Sequence, residues 1–87
     1  MQAFTSRNYD KKIEKLGVKV YKQLTERLSL FLSDPYNPIL QNHALHGKRK
    51  HQRSINITGD WRLIFEQYDA NTVRLIDIDT HPNLYGT

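Results

Sequence analysis

The sequence contains no cysteine, and that one absence removes disulfides, thiolate nucleophiles and cysteine-based zinc sites together. It fits most directly with a reduced, cytoplasmic compartment. Long apolar runs are absent too: the stretch from Gln2 to Asn8 is not a secretory signal, and no later window approaches the length of a membrane span. A soluble protein with no membrane partner is expected. Repeats, linkers, low-complexity tracts and a glycine-rich nucleotide-binding loop are all missing. The 87 residues therefore read as a single domain, 1–87, and a chain this short buries a limited share of its surface, so a bound partner would add to its stability.

A local absence says more. Thirteen Lys and Arg against nine Asp and Glu give a formal charge of +4, which by itself predicts only an affinity for polyanions. Between Asp34 and Asp60, however, there is no acidic residue, while Lys48, Arg49, Lys50 and Arg53 fall there together with His43, His46 and His51. That stretch is a local cationic patch.

The apolar spacing supplies the framework. Ser6 is placed to cap a helix through Tyr9, Ile13 and Leu16, with Gly17 as its stop. Tyr21, Leu24, Leu28 and Phe31 recur at three and four, predicting a second helix from Val18 to about Ser33, which the prolines of Asp34-Pro35-Tyr36-Asn37-Pro38 end. The period then becomes two. Ile55 and Ile57 alternate with Ser54 and Asn56, the pattern of a strand with one wet face. Thr58-Gly59-Asp60 reads as a turn, Trp61 to Tyr68 as a central strand covered on both faces, Asp69-Ala70-Asn71 as a turn and Thr72 to Asp79 as a third strand; Gln2 to Phe4 is a candidate fourth. The fold class expected is α+β, an N-terminal helical hairpin packed on a three- to four-stranded antiparallel sheet.

Three segments carry candidate chemistry. In His43-Ala44-Leu45-His46-Gly47-Lys48-Arg49-Lys50-His51, cations can hold phosphate and imidazoles can move protons near neutral pH; the plainer alternative is a solvated basic loop. A zinc site at His43 and His46 lacks cysteine or acidic neighbours to complete a ligand set, so no metal or other cofactor is expected. In Gly59-Asp60-Trp61-Arg62, an arginine on a rigid strand can neutralise charge that grows on a phosphate in the transition state, and a tryptophan offers a face for a base. Alternatively Asp60 closes the turn and Trp61 is core. The ending Asp79-Thr80-His81-Pro82-Asn83-Leu84-Tyr85-Gly86 places a histidine and a tyrosine just past a strand, where catalytic groups often sit. RNA cleavage joins the three: a base takes the 2′-hydroxyl proton, cations hold the phosphate and an acid protonates the leaving 5′-oxygen.

The succession Asn42-His43-Ala44-Leu45-His46-Gly47, Arg53-Ser54-Ile55, Gly59-Asp60-Trp61-Arg62-Leu63-Ile64-Phe65 and Thr80-His81-Pro82-Asn83-Leu84-Tyr85-Gly86 resembles the RelE superfamily of bacterial toxins, and within it the YafQ branch. Specific motifs cover the C-terminal half; the helical hairpin agrees in order and length. The resemblance implies a toxin that cuts mRNA in the ribosomal A site and is silenced by an antitoxin. It implies roles for His43, Asp60, Trp61, His81 and Tyr85, and arginines at Arg53 and Arg62 as in other RelE-like toxins. A further histidine of the YafQ pattern is replaced here by Asn56, which cannot act as an acid or base at neutral pH. The expected catalytic set is His43, Asp60, Arg62, His81 and Tyr85. The expected RNA-binding set is His46, Lys48, Arg49, Lys50, Arg53 and Trp61. The rival readings are a ParE-like gyrase inhibitor, which needs no proton-transfer inventory, and a plain nucleic-acid-binding module, for which the basic loop and Trp61 suffice.

Overall fold

In a computed structural model, residues 1–85 are described, the side chain of Tyr85 apart. The elements are β1 (Gln2–Thr5), α1 (Arg7–Glu14), α2 (Val18–Ser33), β2 (His43–Ala44), β3 (Arg53–Asn56), β4 (Trp61–Asp69), β5 (Thr72–Thr80) and α3 (His81–Tyr85), with short 3-10 turns at Pro38–Leu40 and Gly47–Arg49. No helix among the described residues is long and apolar enough to cross a membrane.

Ser6 starts α1 as expected, its hydroxyl accepting the Tyr9 amide at 3.0 Å. The same hydroxyl donates to the carbonyl of Ile76 at 2.8 Å, so the cap also fastens the helix to the sheet. The expected stop at Gly17 is not where α1 ends: Lys15 and Leu16 close the last turn by bonding back to the Lys12 and Ile13 carbonyls. Gly17 has ordinary negative φ and caps the start of α2 instead. On α2, Leu24 and Phe31 are buried while Tyr21 is half exposed, lining a surface groove with Tyr9, Ile13 and Leu28.

The sheet has five strands in the order β1-β5-β4-β3-β2. It is mixed: β1 runs parallel to β5 at one edge, and the two-residue β2, within the segment taken for a basic loop, pairs antiparallel with β3 at the other. Both departures are edge features too short for periodicity to report.

One face of the sheet packs under the helices. Ile55, Ile57, Leu63, Phe65, Val73, Leu75 and Ile78 join Tyr9, Leu24, Phe31 and Leu40 in one buried cluster, with the Phe31 and Phe65 rings 4.7 Å apart in a tilted pair. A bulge shifts the phase along β5. Ile64 pairs with Asp77 but Phe65 with Leu75, leaving Ile76 unmatched. The extra residue lets Leu75 and Ile78 face the core together and turns Asp77 to the opposite face.

That opposite face is less wet than the alternation in β3 suggested. Ser54 is fully buried, because it lies between His43 on β2 and Ile64 on β4 and the segment from Leu45 through the Gly47–Arg49 turn folds over this side, bringing Arg49 to Asp77 at 4.0 Å. The Ser54 hydroxyl has no hydrogen-bond partner among the described residues.

Candidate active site

Strand register assembles the second face in rows. His43, Ser54, Ile64 and Asp77 are successive cross-strand neighbours, and Asn56, Arg62 and Asp79 form the next row. Side chains opposite one another share a face, so the histidine of the first segment, the arginine of the second and two aspartates next to the third meet on one surface.

His43 is exposed and its ring Nδ1 lies 2.7 Å from the Gln41 carbonyl. A carbonyl only accepts, so Nδ1 carries the hydrogen, and the neutral ring presents its basic lone pair at Nε2. Gln41 has a positive φ of 48°, a left-handed conformation costly for a residue with a β-carbon. Its side-chain oxygen takes the Asn56 amide at 2.7 Å. One strained residue thus fixes both His43 and the asparagine that stands where the family pattern has a histidine.

The β3–β4 turn is closed by Thr58, whose hydroxyl accepts the amides of Asp60 and Trp61. Asp60 is not needed for that purpose, and its exposed carboxylate has no partner among the described residues. Nη1 of Arg62 donates to the carbonyls of Thr58, Gly59 and Trp61 at 3.0–3.1 Å, which holds the guanidinium rigidly at the turn. The Asp60 carbonyl accepts the His81 amide at 2.7 Å, tying the start of α3 to the same turn.

Two predicted RNA contacts lie elsewhere. Arg53 shares the phase of Ile55 and pairs with Phe65, on the helix-covered side; its Nε donates to Asn42 at 2.9 Å and its guanidinium sits 5.9 Å from the Tyr36 ring centre. It clamps the Pro35–Asn42 loop. Trp61 is half buried against the core cluster and lines a recess with Lys12, Lys15, Leu16, Ile78 and Asp79, the core role weighed for it above.

The basic turn keeps its cations at the surface. His46, Lys48, Lys50 and His51 are exposed, and Arg49 is half buried, bonded to Gln52 at 2.9 Å. His46, Lys48, Arg49, Gln52 and Leu84 line an open cavity of about 500 Å³. The basic turn supplies most of its lining, and α3 contributes Leu84. Tyr85 ends α3, and its side chain lies outside the described residues.

Sequence reasoning missed the charged group beside this cleft. Lys12 Nζ lies 2.7 Å from Asp77 and 2.9 Å from Asp79. The Asp79 carboxylate also accepts the Thr80 amide at 2.8 Å and the Asn83 side chain at 2.9 Å. Burial pushes the Asp79 carboxyl up, but the bonds from Asn83, Lys12 and Thr80, with the charge of Lys12, outweigh it and hold the group below its ordinary range. Burial likewise pushes the Lys12 ammonium down, and its two aspartates reverse that and raise it. No spacing rule links Lys12 to residues 65 or more positions away.

The family described as "Bacterial toxin of type II toxin-antitoxin system, YafQ" matches residues 1–86. The chain belongs to the YafQ family of type II toxins. No curated protein matches it by sequence. Among solved structures, Escherichia coli YafQ superposes with a TM-score of 0.78 over 98% of each chain at 22% identity. The toxin–antitoxin complex of E. coli DinJ and YafQ gives 0.75 over 98% of this chain and 97% of that one at 24% identity. The YoeB–YefM complex of Staphylococcus aureus gives 0.74 over 93% and 97% at 16% identity. At such identities the superpositions establish the YafQ-like α+β fold, while membership of the toxin family rests on the match along the chain.

Proposed function

We propose that this YafQ-family toxin is an endoribonuclease that cuts mRNA in the ribosomal A site, using protein groups alone for acid, base and phosphate charge. The observation that carries the reading is the cleft: the basic turn and Leu84 of the helix that follows β5 line it, next to a face presenting His43 and Arg62. His43, with its lone pair at Nε2, takes the proton of the 2′-hydroxyl. The 2′-oxygen attacks phosphorus, Arg62 stabilises the charge gathering on the phosphoryl oxygens, and the P–O5′ bond breaks. The departing 5′-oxygen receives its proton from His81 as imidazolium, leaving a 2′,3′-cyclic phosphate and a 5′-hydroxyl end. Asp60, exposed beside His81, stabilises that imidazolium, and Tyr85 orients the RNA. His46, Lys48, Arg49 and Lys50 bind backbone phosphates, so affinity falls as salt rises. Arg53 and Trp61 support the loop and the core.

A cognate antitoxin is the natural partner, as the DinJ–YafQ and YoeB–YefM complexes are for their toxins. An acidic segment fits the acid-free stretch from Pro35 to Gly59, and its binding stabilises the toxin by mass action. The test is expression of the chain in bacteria, alone and with a candidate antitoxin, followed by mapping of mRNA ends. New 5′-hydroxyl ends within codons, suppressed by the antitoxin, are expected. Growth arrest with intact mRNA and inhibited gyrase would instead establish the ParE-like reading.

A further inference from the structure

The basic turn and α3, which line the cleft, hang from adjacent points on β5. Asp77 and Asp79 are two residues apart on the same face, about 7 Å between their Cα atoms, and each leads to a different one of the two. Asp79 divides its oxygens: Oδ1 accepts the Thr80 amide and Asn83 Nδ2, while Oδ2 accepts Lys12 Nζ. Asn83 lies in α3. Asp77, only 9% exposed, places Oδ2 4.0 Å from Nη2 of Arg49 in the basic turn. Its Oδ1 accepts no well-aligned hydrogen bond, yet sits 2.7 Å from Lys12 Nζ. A single ammonium therefore serves both carboxylates.

Each part needs the others. α3 has five residues, and so short a helix scarcely offsets the cost of its own nucleation; its placement needs outside tethers, and those among the described residues include the Asp79–Asn83 bond and the bond from the His81 amide to Asp60. Two charged carboxylates on neighbouring positions of one strand face repel one another. Uncompensated, they would also repel an RNA backbone approaching the cleft. Lys12 removes both difficulties and anchors the pair to α1, which Ser6 and Asn8 in turn fasten to the Ile76 carbonyl at the bulge.

We propose that Lys12, Asp77 and Asp79 are positioning residues that hold α3 and the basic turn in register at the cleft, Asp79 setting α3 with His81 and Asp77 setting the basic turn through Arg49. The role in turnover rests on the nuclease reading above; the placement of α3 does not. The test compares Lys12→Met, Lys12→Arg, Asp79→Asn and the milder surface change Asn83→Ala in the whole chain. It measures amide exchange at His81, Asn83 and Leu84 and single-turnover cleavage on mRNA-programmed ribosomes against enzyme concentration. In Lys12→Met, Asp79→Asn and Asn83→Ala, exchange in α3 rises while core protection stays. The maximal cleavage rate falls by up to about a hundredfold, the scale for misplacing a reacting group by an ångström, with half-saturation little changed. Lys12→Arg, whose planar fork can still bridge two carboxylates, recovers most of both. Wild-type exchange and rate in Lys12→Met and Asn83→Ala would overturn the proposal, as would losses in affinity and rate together that Lys12→Arg does not rescue. Should the wild-type protein cut no mRNA, the nuclease reading fails, and α3 exchange still decides: faster in Lys12→Met and Asn83→Ala upholds the tether, unchanged refutes it.

Discussion

The two faces of this sheet are built from the same strands by opposite rules. Toward the helices, β3, β4 and β5 present Ile55, Leu63, Phe65, Val73, Leu75 and Ile78, with Ile57 just past β3, all 2% exposed or less. Toward the cleft, the same strands present Ser54, Asn56, Arg62, Ile64, Asp77 and Asp79. A residue on the first face contributes burial. On the second, Asn56, Arg62, Asp77 and Asp79 are held by hydrogen bonds or ion pairs and contribute position, while Ser54 and Ile64 are buried there. The two arginines carry the contrast: Arg53, in phase with the isoleucines, staples a loop, whereas Arg62, one strand away and out of phase, is aimed by three carbonyls of a turn.

The largest expected effect comes from breaking the covered face. Phe65 is fully buried against Phe31, and Phe65→Ala should cost about 3–5 kcal/mol of stability. Denaturant unfolding should show the chain largely unfolded or dependent on a bound partner, since that is a large part of what a small domain has.

On the cleft face the expected loss is one of chemistry. His81→Gln keeps a hydrogen-bonding side chain but abolishes titration near neutral pH. Single-turnover cleavage should fall by at least about a hundredfold with an unchanged unfolding midpoint, and a midpoint lowered in step with the rate would place His81 with the structural residues.

Much of the covered face was legible in the amino-acid order, because core packing is periodic. The spacing of Leu24, Leu28 and Phe31 matched α2 from Val18 to Ser33, and the Ser6 cap was read from its chemistry. Arg53 shares the parity of Ile55 and Ile57, a signal for the helix side, but its charge and the family pattern led to its being expected as an RNA contact. The cleft face was less legible for physical reasons. A bulge costs one residue and shifts the phase of everything beyond it, so nothing in Ile76-Asp77-Ile78-Asp79 announces that Asp77 leaves the core. The link from Lys12 to Asp77 and Asp79 is made by tertiary structure alone. β1 and β2 pair at edges, where four and two residues are too few to show a period. The candidate groups His43, Asp60, Arg62 and His81 were named from the residues and the family pattern; the strand register puts His43 and Arg62 on one face, and a backbone bond puts Asp60 next to His81 at the end of the β4–β5 pair.

A smaller effect sharpens the comparison through pH. The Tyr9 hydroxyl, buried in the apolar cluster, is pushed up to about 12, chiefly by burial and further by Tyr21 and Asp10. The unfolded tyrosine ionises near its ordinary value of about 10. A folded value above the unfolded one means that the stabilisation is fully present below about pH 10 and is lost as pH rises from there to about 12. That loss is on the order of 2 kcal/mol. Tyr9→Phe should change stability little at pH 7 and remove this part of the alkaline decline, measured as the unfolding free energy at pH 7, 10 and 11.5. An alkaline slope identical in the two proteins would show that the hydroxyl is solvated.

The central claim, that one face holds the fold while the other performs the reaction, is tested most directly by changing the two arginines separately and measuring both stability and single-turnover cleavage of A-site mRNA. Arg62→Ala should lower the rate by about a hundredfold to a thousandfold with ribosome binding near that of the wild type and any fall in the unfolding midpoint too small to account for the loss of rate. Arg53→Ala should lower the midpoint, with the loss of a bond to Asn42 and a ring contact worth about 1–2 kcal/mol together, and leave the rate of the folded fraction close to normal. Equal losses of rate in both variants, or a loss confined to Arg53→Ala, would contradict the division of the sheet into a supporting face and a reacting one.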